Sequence, residues 1–277
     1  MRRTFAHARR TVRSLASSAG ESGGSSRRAG GVVLFGGMVA TTLYLGTWQT
    51  RRYFWKTQLI EEREASLRRA PAALPSTSGP GTAAAVAEAN AFRLLTVRGV
   101  LDHDREVKVG PRSPPKHTAA HDDPLCEKNG FCIVTPLRRT GGAQQGERVL
   151  VHRGWVPKSA LDAGKLDRPT GEVELSVVVL ASEEQGRFTP DNEVASGHFF
   201  WLDTAALAQR AGIADGGVLV QTVGDGASNW KQQVWPLAKP VAALTDFYVT
   251  REKHAGYAAT WYSLAFAGAL MSVRLLR

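Results

Sequence analysis

The sequence lacks the short motifs by which many enzymes are recognised. It contains no glycine-rich phosphate loop, no G-x-S-x-G nucleophile motif and no H-E-x-x-H zinc motif. Three carboxylates, Asp102, Asp104 and Glu106, lie close together in the sequence, but such spacing is more typical of a solvated turn than of an acid–base pair. We therefore predict that the protein is not an enzyme.

Cysteine is also scarce, with only Cys126 and Cys132 among 277 residues. Both follow His117 and His121 in a polar stretch, and the spacing H-x3-H-x4-C-x5-C matches no standard zinc site. The thiols are unconnected, joined as a disulfide in an oxidising compartment, or part of an unusual metal site. The sequence leaves these three alternatives open.

The body of the chain has almost no excess of either charge. The formal net charge is +10, but residues 1–28 hold seven arginines against one glutamate, and Arg274 and Arg277 lie at the other end. The remaining residues include 26 basic and 24 acidic side chains. A nearly balanced body has no electrostatic footprint for nucleic acid, so we predict no nucleic-acid partner.

Residues 1–28 have a composition of their own. They are rich in Arg and Ser and nearly free of acidic residues, and they contain no secretory apolar core before the glycine-rich stretch. This composition is typical of a mitochondrial or plastid targeting segment. We interpret residues 1–28 as a mitochondrial targeting segment, with a disordered tail as the alternative.

Two long apolar runs are present, and both are free of charge. Residues 29–50 form a run of 22 uncharged residues, and residues 255–273 form one of 19. At about 1.5 Å per residue, the shorter run reaches about 28 Å as a helix, close to the roughly 30 Å hydrocarbon layer of a bilayer. Aromatic and basic residues such as Trp48, Arg51 and Trp261 lie near the ends, as at membrane interfaces. We predict two transmembrane helices, with a pair of buried core helices as the alternative.

Two spans place both termini on one side of a membrane. Basic residues flank the runs on the domain side too, so charge alone does not orient the pair. A targeting segment that enters the matrix would place residues 51–254 in the intermembrane space and leave 274–277 as a matrix tail. We therefore predict a multi-pass protein of the mitochondrial inner membrane.

The pattern changes between the two runs. Residues 51–70 continue the first helix with apolar side chains at helical spacing, and residues 71–90 have the composition of a flexible linker. Residues 91–254 predict a β-rich domain with one short helix, Thr204 to Ala211, and strands at 92–99, 106–110, 130–137, 148–156, 171–180, 218–223 and 241–249. The predicted fold class is membrane α + β, with two transmembrane helices flanking a mainly antiparallel β domain, either a sheet or a small barrel, with few helices.

His254 is the residue that most suggests a ligand. It precedes the second apolar run by one residue, and Tyr257, Trp261 and Tyr262 follow it at helical spacings. An imidazole beside an aromatic stripe is suited to ligate the iron of a haem that lies against the helix. An interfacial histidine beside an ordinary aromatic belt explains the same pattern, and from these residues alone it is the favoured explanation.

Several motifs together resemble the Surfeit-locus family of cytochrome c oxidase assembly proteins. LGTWQTRRYFWKTQLI at 45–60 is similar to the family signature after the first span, and VGPR at 109–112, IVTPL at 133–137, VLVHRGWVP at 149–157, FTPDN at 188–192 and HAGYAATWYSL at 254–264 follow in the family order. The resemblance covers residues 30–273. It departs from the family at His152, where the family commonly has Asn, and at Glu252 and Lys253, which replace Asn and Glu before His254.

The resemblance implies an assembly factor for mitochondrial cytochrome c oxidase. It implies transient handling of haem a during maturation of the catalytic subunit, with that subunit, other assembly factors and the lipid bilayer as partners. The alternative is a haem-free membrane scaffold that stabilises an assembly intermediate. The implied haem site contains His254 as the iron ligand, together with Tyr257, Trp261, Arg52 and Trp48. The implied partner or fold signature contains Trp55, Lys56, Arg112, Arg153, Gly154, Trp155 and Asn192.

Overall fold

The computed structural model describes residues 5–79, 82–213, 217–224, 234–247 and 249–276, with side chains from residue 30 to residue 274 within these ranges. The chain divides into two compact units. One unit consists of Met1–Leu59 and Phe247–Arg277, and the other is Ile60–Asp246. Each unit is described on its own below.

The first unit is built from two long helices, α1 (Phe5–Leu67) and α6 (Arg251–Leu276). The helices run antiparallel, because Val39 lies beside Gly268 while Gly46 lies beside Tyr262. A Cβ atom on Gly46 would come within 2.8 Å of the Tyr262 ring, and one on Gly268 within 2.9 Å of the Val39 side chain. Glycine at these two positions therefore lets the helices approach closely.

Apolar side chains point outward from both helices. Val33 and Leu34 of α1 are 75% and 71% exposed, and Phe266 of α6 is 67% exposed. Among the described residues, Gly30–Leu67 is long and apolar enough to cross a membrane by length and composition. Over the same described residues, α6 is not apolar enough to meet this criterion, so the second span at 255–273 stays a prediction.

The second unit contains a closed five-stranded barrel. Its strands pair in the order β2–β6–β7–β5–β4, and β4 pairs back onto β2. The pairing of β5 with β7 is parallel, and the other four pairings in the ring are antiparallel. The eight strands are β1 (Ala72–Ala73), β2 (Leu95–Leu101), β3 (Val107–Arg112), β4 (Gly130–Arg139), β5 (Arg148–Pro157), β6 (Glu172–Val179), β7 (Leu219–Gly224) and β8 (Lys239–Pro240). The predicted fold class is confirmed, and the β domain is a small barrel rather than an open sheet.

The barrel interior follows from alternation along the strands. In β2, LTVRGVL alternates buried and more exposed positions, and Leu95 and Val97 point inward. They join Leu137, Val149, Val151 and Val220 in one core cluster. Closure of the ring pairs both edges of the sheet, which removes edges that would otherwise bind another chain.

Short helices cover parts of the barrel domain, namely α2 (Thr82–Ala89), α3 (Ala119–Asp122), α4 (Lys158–Asp162) and α5 (Thr204–Ala211). Helix α5 has the predicted bounds because both of its ends are capped. The Asp203 side chain accepts hydrogen bonds from two backbone N–H groups of the first turn, and Gly212 ends the helix in the left-handed conformation. Leu207 of α5 is fully buried.

The structure differs from the sequence prediction in three segments. Residues 71–90 hold β1 and α2 instead of a plain linker, because Leu74 and Val86 are buried in the barrel core. The strand predicted at 241–249 is wrong in its first part, which forms a 3₁₀ turn over Val241–Leu244; residue 248 lies outside the described residues. Strand β2 begins at Leu95 rather than at 92, because Phe92 has a φ of 56°, outside the extended region.

Candidate functional site

His254 lies in the first turn of α6 and contacts Gln49 of α1. Its Nδ1 atom is 2.7 Å from Oε1 of Gln49. An amide oxygen only accepts hydrogen bonds, so the imidazole Nδ1–H donates to it and Nε2 carries the lone pair. The side chain of Gln49 therefore selects the tautomer in which Nε2 is the metal-binding atom.

Trp48 is the aromatic side chain that the structure brings to His254. The two ring centroids are 6.5 Å apart and the ring planes are at 79°, an edge-on contact. Tyr257 is half exposed and Trp261 is partly buried. The place of Tyr257 and Trp261 in the site therefore stays a prediction.

The three other predicted side chains of α1 behave differently from one another. Arg52 is exposed, and its guanidinium lies 3.9 Å from the centroid of the Trp55 ring, a cation–π contact. Lys56 is 6% exposed, donates a hydrogen bond to the carbonyl of Val249, and lies 4.8 Å from the Phe247 ring. Lys56 thus ties α1 to the segment before α6, whereas Arg52 remains accessible to an anionic group.

The electrostatic surroundings favour a neutral His254. Burial, and then the positive charges of Lys56 and Arg52, lower the pKa of the imidazole. A neutral imidazole with an unprotonated Nε2 is the form that binds iron.

The described residues contain no cluster of three or more His, Cys, Asp or Glu side chains that could hold a metal ion. A haem iron needs fewer protein ligands than a bare metal ion, because the porphyrin supplies four nitrogens and one histidine can suffice. The residues around His254 fit this smaller requirement. Tyr257, Trp48 and Arg52 add exposed aromatic surface and a cation next to it.

Cys126 and Cys132 form neither a disulfide nor, among the described residues, a metal-binding cluster with His117 and His121. Cys126 and Cys132 are both free, and they pack in different parts of the barrel domain. His117 hydrogen-bonds to Asp246 at 2.8 Å rather than to a cysteine. Burial raises the pKa of Cys132 to about 12, so this thiol is neutral.

Arg153 is buried and pairs with Glu106. Its Nη1 atom lies 3.5 Å from a carboxylate oxygen of Glu106, and Arg168 lies 3.1 Å from the other oxygen. Glu106 is only 4% exposed in its side chain, so the expectation of a solvated turn is wrong for this residue. Sequence reasoning missed this interaction because the partners are far apart along the chain, and no spacing signals the pair.

The remaining signature residues of the barrel domain also make internal contacts. Trp155 is buried and donates from its indole nitrogen to the carbonyl of Arg112 at 2.8 Å. Gly154 has a φ of 143°, and a Cβ atom there would lie 2.3 Å from the carbonyl oxygen of Leu237. Asn192 accepts from the backbone N–H of Phe200 at 2.8 Å. These contacts hold strands and loops of the barrel domain in place.

The fold and the site together define a class: a protein with a small five-stranded β-barrel and two long packed helices, one of them long and apolar enough to cross a membrane by length and composition. A family model described as SURF1 family matches residues 37–266. The chain therefore belongs to the SURF1 family, whose members are non-enzymatic cytochrome c oxidase assembly factors.

Similar proteins from an insect, a choanoflagellate and a plant also carry the family name. A SURF1-like protein of Monosiga brevicollis is 32% identical over 260 residues, covering 91% of this chain and 90% of the relative. A SURF1-like protein of Drosophila melanogaster is 32% identical, with 85% of this chain and 74% of the relative covered. Surfeit locus protein 1 of Arabidopsis thaliana is 26% identical, with 86% and 75% covered.

Proposed function

We propose that this protein assists the maturation of mitochondrial cytochrome c oxidase by receiving or retaining haem a on its way to the catalytic subunit. The observation that carries the proposal is the hydrogen bond from His254 to Gln49. It leaves Nε2 of the imidazole as an iron ligand on a helix whose neighbouring surface is apolar. Family membership supplies the oxidase context.

The residues around His254 have separate roles in this proposal. His254 would hold the iron of haem a, and when bound the group supplies the redox centre that the oxidase needs. Gln49 fixes the orientation of the imidazole. Arg52, exposed beside Trp55, is placed to pair with a carboxylate at the edge of the macrocycle, because charge-assisted bonds to carboxylates are strong. Because His254 would be the one protein ligand to the iron in this proposal, haem a would remain free to be passed on.

We further propose that both long helices cross the mitochondrial inner membrane and that the barrel domain lies in the intermembrane space. The apolar segment of α1 and the outward apolar side chains of α6 support the two spans. The Arg-rich composition of residues 1–28 supports the orientation. Resistance to alkaline carbonate extraction, with the barrel domain cleaved by protease only after the outer membrane is opened, is the expected result. Extraction by carbonate would contradict the spans, and cleavage only from the matrix side would contradict the orientation.

The haem proposal is tested by an optical spectrum of the purified full-length protein from cells that make haem a. We expect a Soret band with wild type that is lost in His254→Ala. The matched control is His198→Ala, which removes an exposed histidine of the barrel domain and should leave the band unchanged. Absence of a band in wild type, or an equal band in His254→Ala, would refute the haem site.

The haem-free scaffold is a second candidate, favoured by one observation. His254 is 7% exposed and Lys56 ties α1 to the segment before α6, so both residues also serve helix packing. If His254→Ala supports normal oxidase assembly while surface variants of the barrel domain abolish it, the scaffold is the better description.

A further inference from the structure

The barrel domain contains a cavity that the haem proposal does not use. Its volume is about 390 Å³, and a neighbouring cavity of about 330 Å³ shares Leu180, Gln221, Lys239, Ala243 and Asp246 with it. Each is of the size of small-molecule sites, which run from roughly 300 to 1,000 Å³. Both cavities lie entirely within the unit Ile60–Asp246.

Both carboxylates that face the larger cavity are already paired. Glu183 forms an ion pair with Arg112 and accepts the backbone N–H of Leu202 at 2.8 Å. Asp246 is bonded to His117 at 2.8 Å and lies 3.9 Å from Lys116. Neither carboxylate is therefore available as a counter-ion for a further cation.

Lys239 lines both cavities and has no salt-bridge partner among the described residues. It is half-buried at the boundary of the two cavities, and its ammonium forms no hydrogen bond or ion pair with any described residue. Burial lowers the pKa of Lys239, and the negative charge of Asp246 offsets this effect only in part. The Cys132 thiol beside the cavity supplies no negative charge, because burial raises its pKa to about 12. A cation without a hydrogen bond or ion pair to a described residue thus lines two partly open cavities.

The walls add both apolar surface and unused polar groups. Trp155, Leu202 and Leu237 line the larger cavity. His152 and Gln221 are more than nine-tenths buried there, and Gln221 Nε2 is 3.4 Å from Nδ1 of His152. The side-chain oxygen of Gln221 and Nε of Arg112 are buried without a hydrogen-bond partner among the described residues. Unmatched buried polar groups next to a cavity take their hydrogen bonds from water or from a ligand.

We propose that this cavity binds a small organic carboxylate, with its apolar body against Trp155, Leu202 and Leu237 and its carboxylate paired with Lys239. A monoanion fits better than a phosphate, because one cation is unpaired while Glu183 and Asp246 would repel a second negative charge. The site is separate from His254, and its failure would leave the haem proposal unaffected.

The test uses full-length protein in lipid nanodiscs and the ¹⁹F line width of 4-(trifluoromethyl)benzoate, with empty nanodiscs as blank. The uncharged 4-(trifluoromethyl)benzamide is the matched probe. Lys239→Met removes the charge and keeps the length of the side chain, Lys239→Arg restores a charge, and Lys165→Met removes an exposed lysine elsewhere in the domain. Ala243→Leu narrows both cavities without changing charge.

We expect wild type and Lys165→Met to bind the benzoate and not the benzamide. Lys239→Met should weaken benzoate binding by at least about tenfold, since a hydrogen bond to a charged group is lost. Lys239→Arg should retain most binding, and Ala243→Leu should reduce it. Equal broadening by both probes, equal benzoate affinity of Lys239→Met and wild type, or no binding to wild type would each overturn the proposal. Thermal unfolding of each variant confirms that it is folded.

Discussion

A buried histidine makes the barrel domain sensitive to acid. His152 is 4% exposed in the middle of strand β5. Burial, together with the positive charges of Lys239 and Arg112, lowers its pKa from 6.5 to about 4. In the unfolded chain the same imidazole takes up a proton at 6.5. We predict that His152→Asn removes the acid sensitivity that arises from this difference.

The magnitude follows from proton linkage. Above pH 6.5 the imidazole is neutral in both states, and its stabilising contribution is fully present. As the pH falls, the unfolded state binds the proton first, so stability is lost until the folded state also titrates near pH 4. At about 1.4 kcal/mol per pH unit, wild type should lose about 2 kcal/mol by pH 5 and about 3 kcal/mol by pH 4 through this residue. The asparagine side chain does not titrate, so the His152→Asn variant should lose no stability through this residue.

Hydrogen exchange measured by mass spectrometry on peptides from strand β5 gives the opening free energy in the full-length protein. We expect the difference between wild type and His152→Asn to change by about 2 kcal/mol between pH 8 and pH 5, after correction for intrinsic exchange. Packing differences between the two side chains are present at both pH values and cancel. A pH dependence that is the same in both proteins would refute the inference that His152 is held neutral by burial.

Three further substitutions test the internal contacts of the barrel domain by thermal or denaturant unfolding. Glu106→Gln removes the charge that Arg153 and the half-exposed Arg168 share, and it should lower the free energy of unfolding by about 3–5 kcal/mol because the buried cation of Arg153 is left unpaired. A loss below about 1 kcal/mol would contradict this. Gly154→Ala should lower the free energy of unfolding by more than about 2 kcal/mol, because residue 154 has a φ of 143° and the new methyl group would meet the Leu237 carbonyl. Gly164→Ala, with open space around the new methyl group, is the control for glycine replacement. Asn192→Ala should cost about 1–3 kcal/mol by leaving the backbone N–H of Phe200 without its acceptor, and unchanged stability would show that water replaces the bond.

Local patterns predicted most of the strands and helix α5. Strand β5 was predicted at 148–156 and is Arg148–Pro157 in the structure, because VLVHRGWV is β-branched and aromatic and turn residues precede it. Helix α5 was predicted with its observed bounds, since Asp203 and Gly212 mark its two ends. These features depend on residues within a few positions of one another, which is the range over which sequence patterns are informative.

Closure of the barrel was not predictable in the same way. It depends on the pairing of Gly99–Leu101 in β2 with Leu137–Arg139 in β4, and on a parallel pairing between β5 and β7. Both pairings join segments that are distant in sequence and carry no local signal for a partner. The ion pairs of Glu106 and the unpaired charge of Lys239 follow from the same long-range geometry. The sequence therefore predicted the strands but left open whether they form a sheet or a barrel.

Among the candidate site residues, the structure places the rings of His254 and Trp48 6.5 Å apart, and their role in binding stays a prediction. Gln49 was noted only as part of a motif, yet it is the side chain that orients the imidazole. One turn of helix separates Trp48 from Arg52, and this spacing is visible in the sequence. The contact between the two helices is not visible there, so the role of Gln49 required the structure.

Exposure separates the residues of the family resemblance into two groups with different explanations. In the barrel domain, Arg153 and Trp155 are buried and bonded internally, so folding alone accounts for them. On α1, Trp48 and Trp55 are 48% and 46% exposed and Arg52 is exposed, although exposed apolar rings contribute little to helix packing. Internal packing does not explain these side chains, whereas lipid headgroups, a bound macrocycle or a partner helix would cover them. The α1 surface around Arg52, rather than the signature of the barrel domain, is therefore where substitutions should separate function from stability.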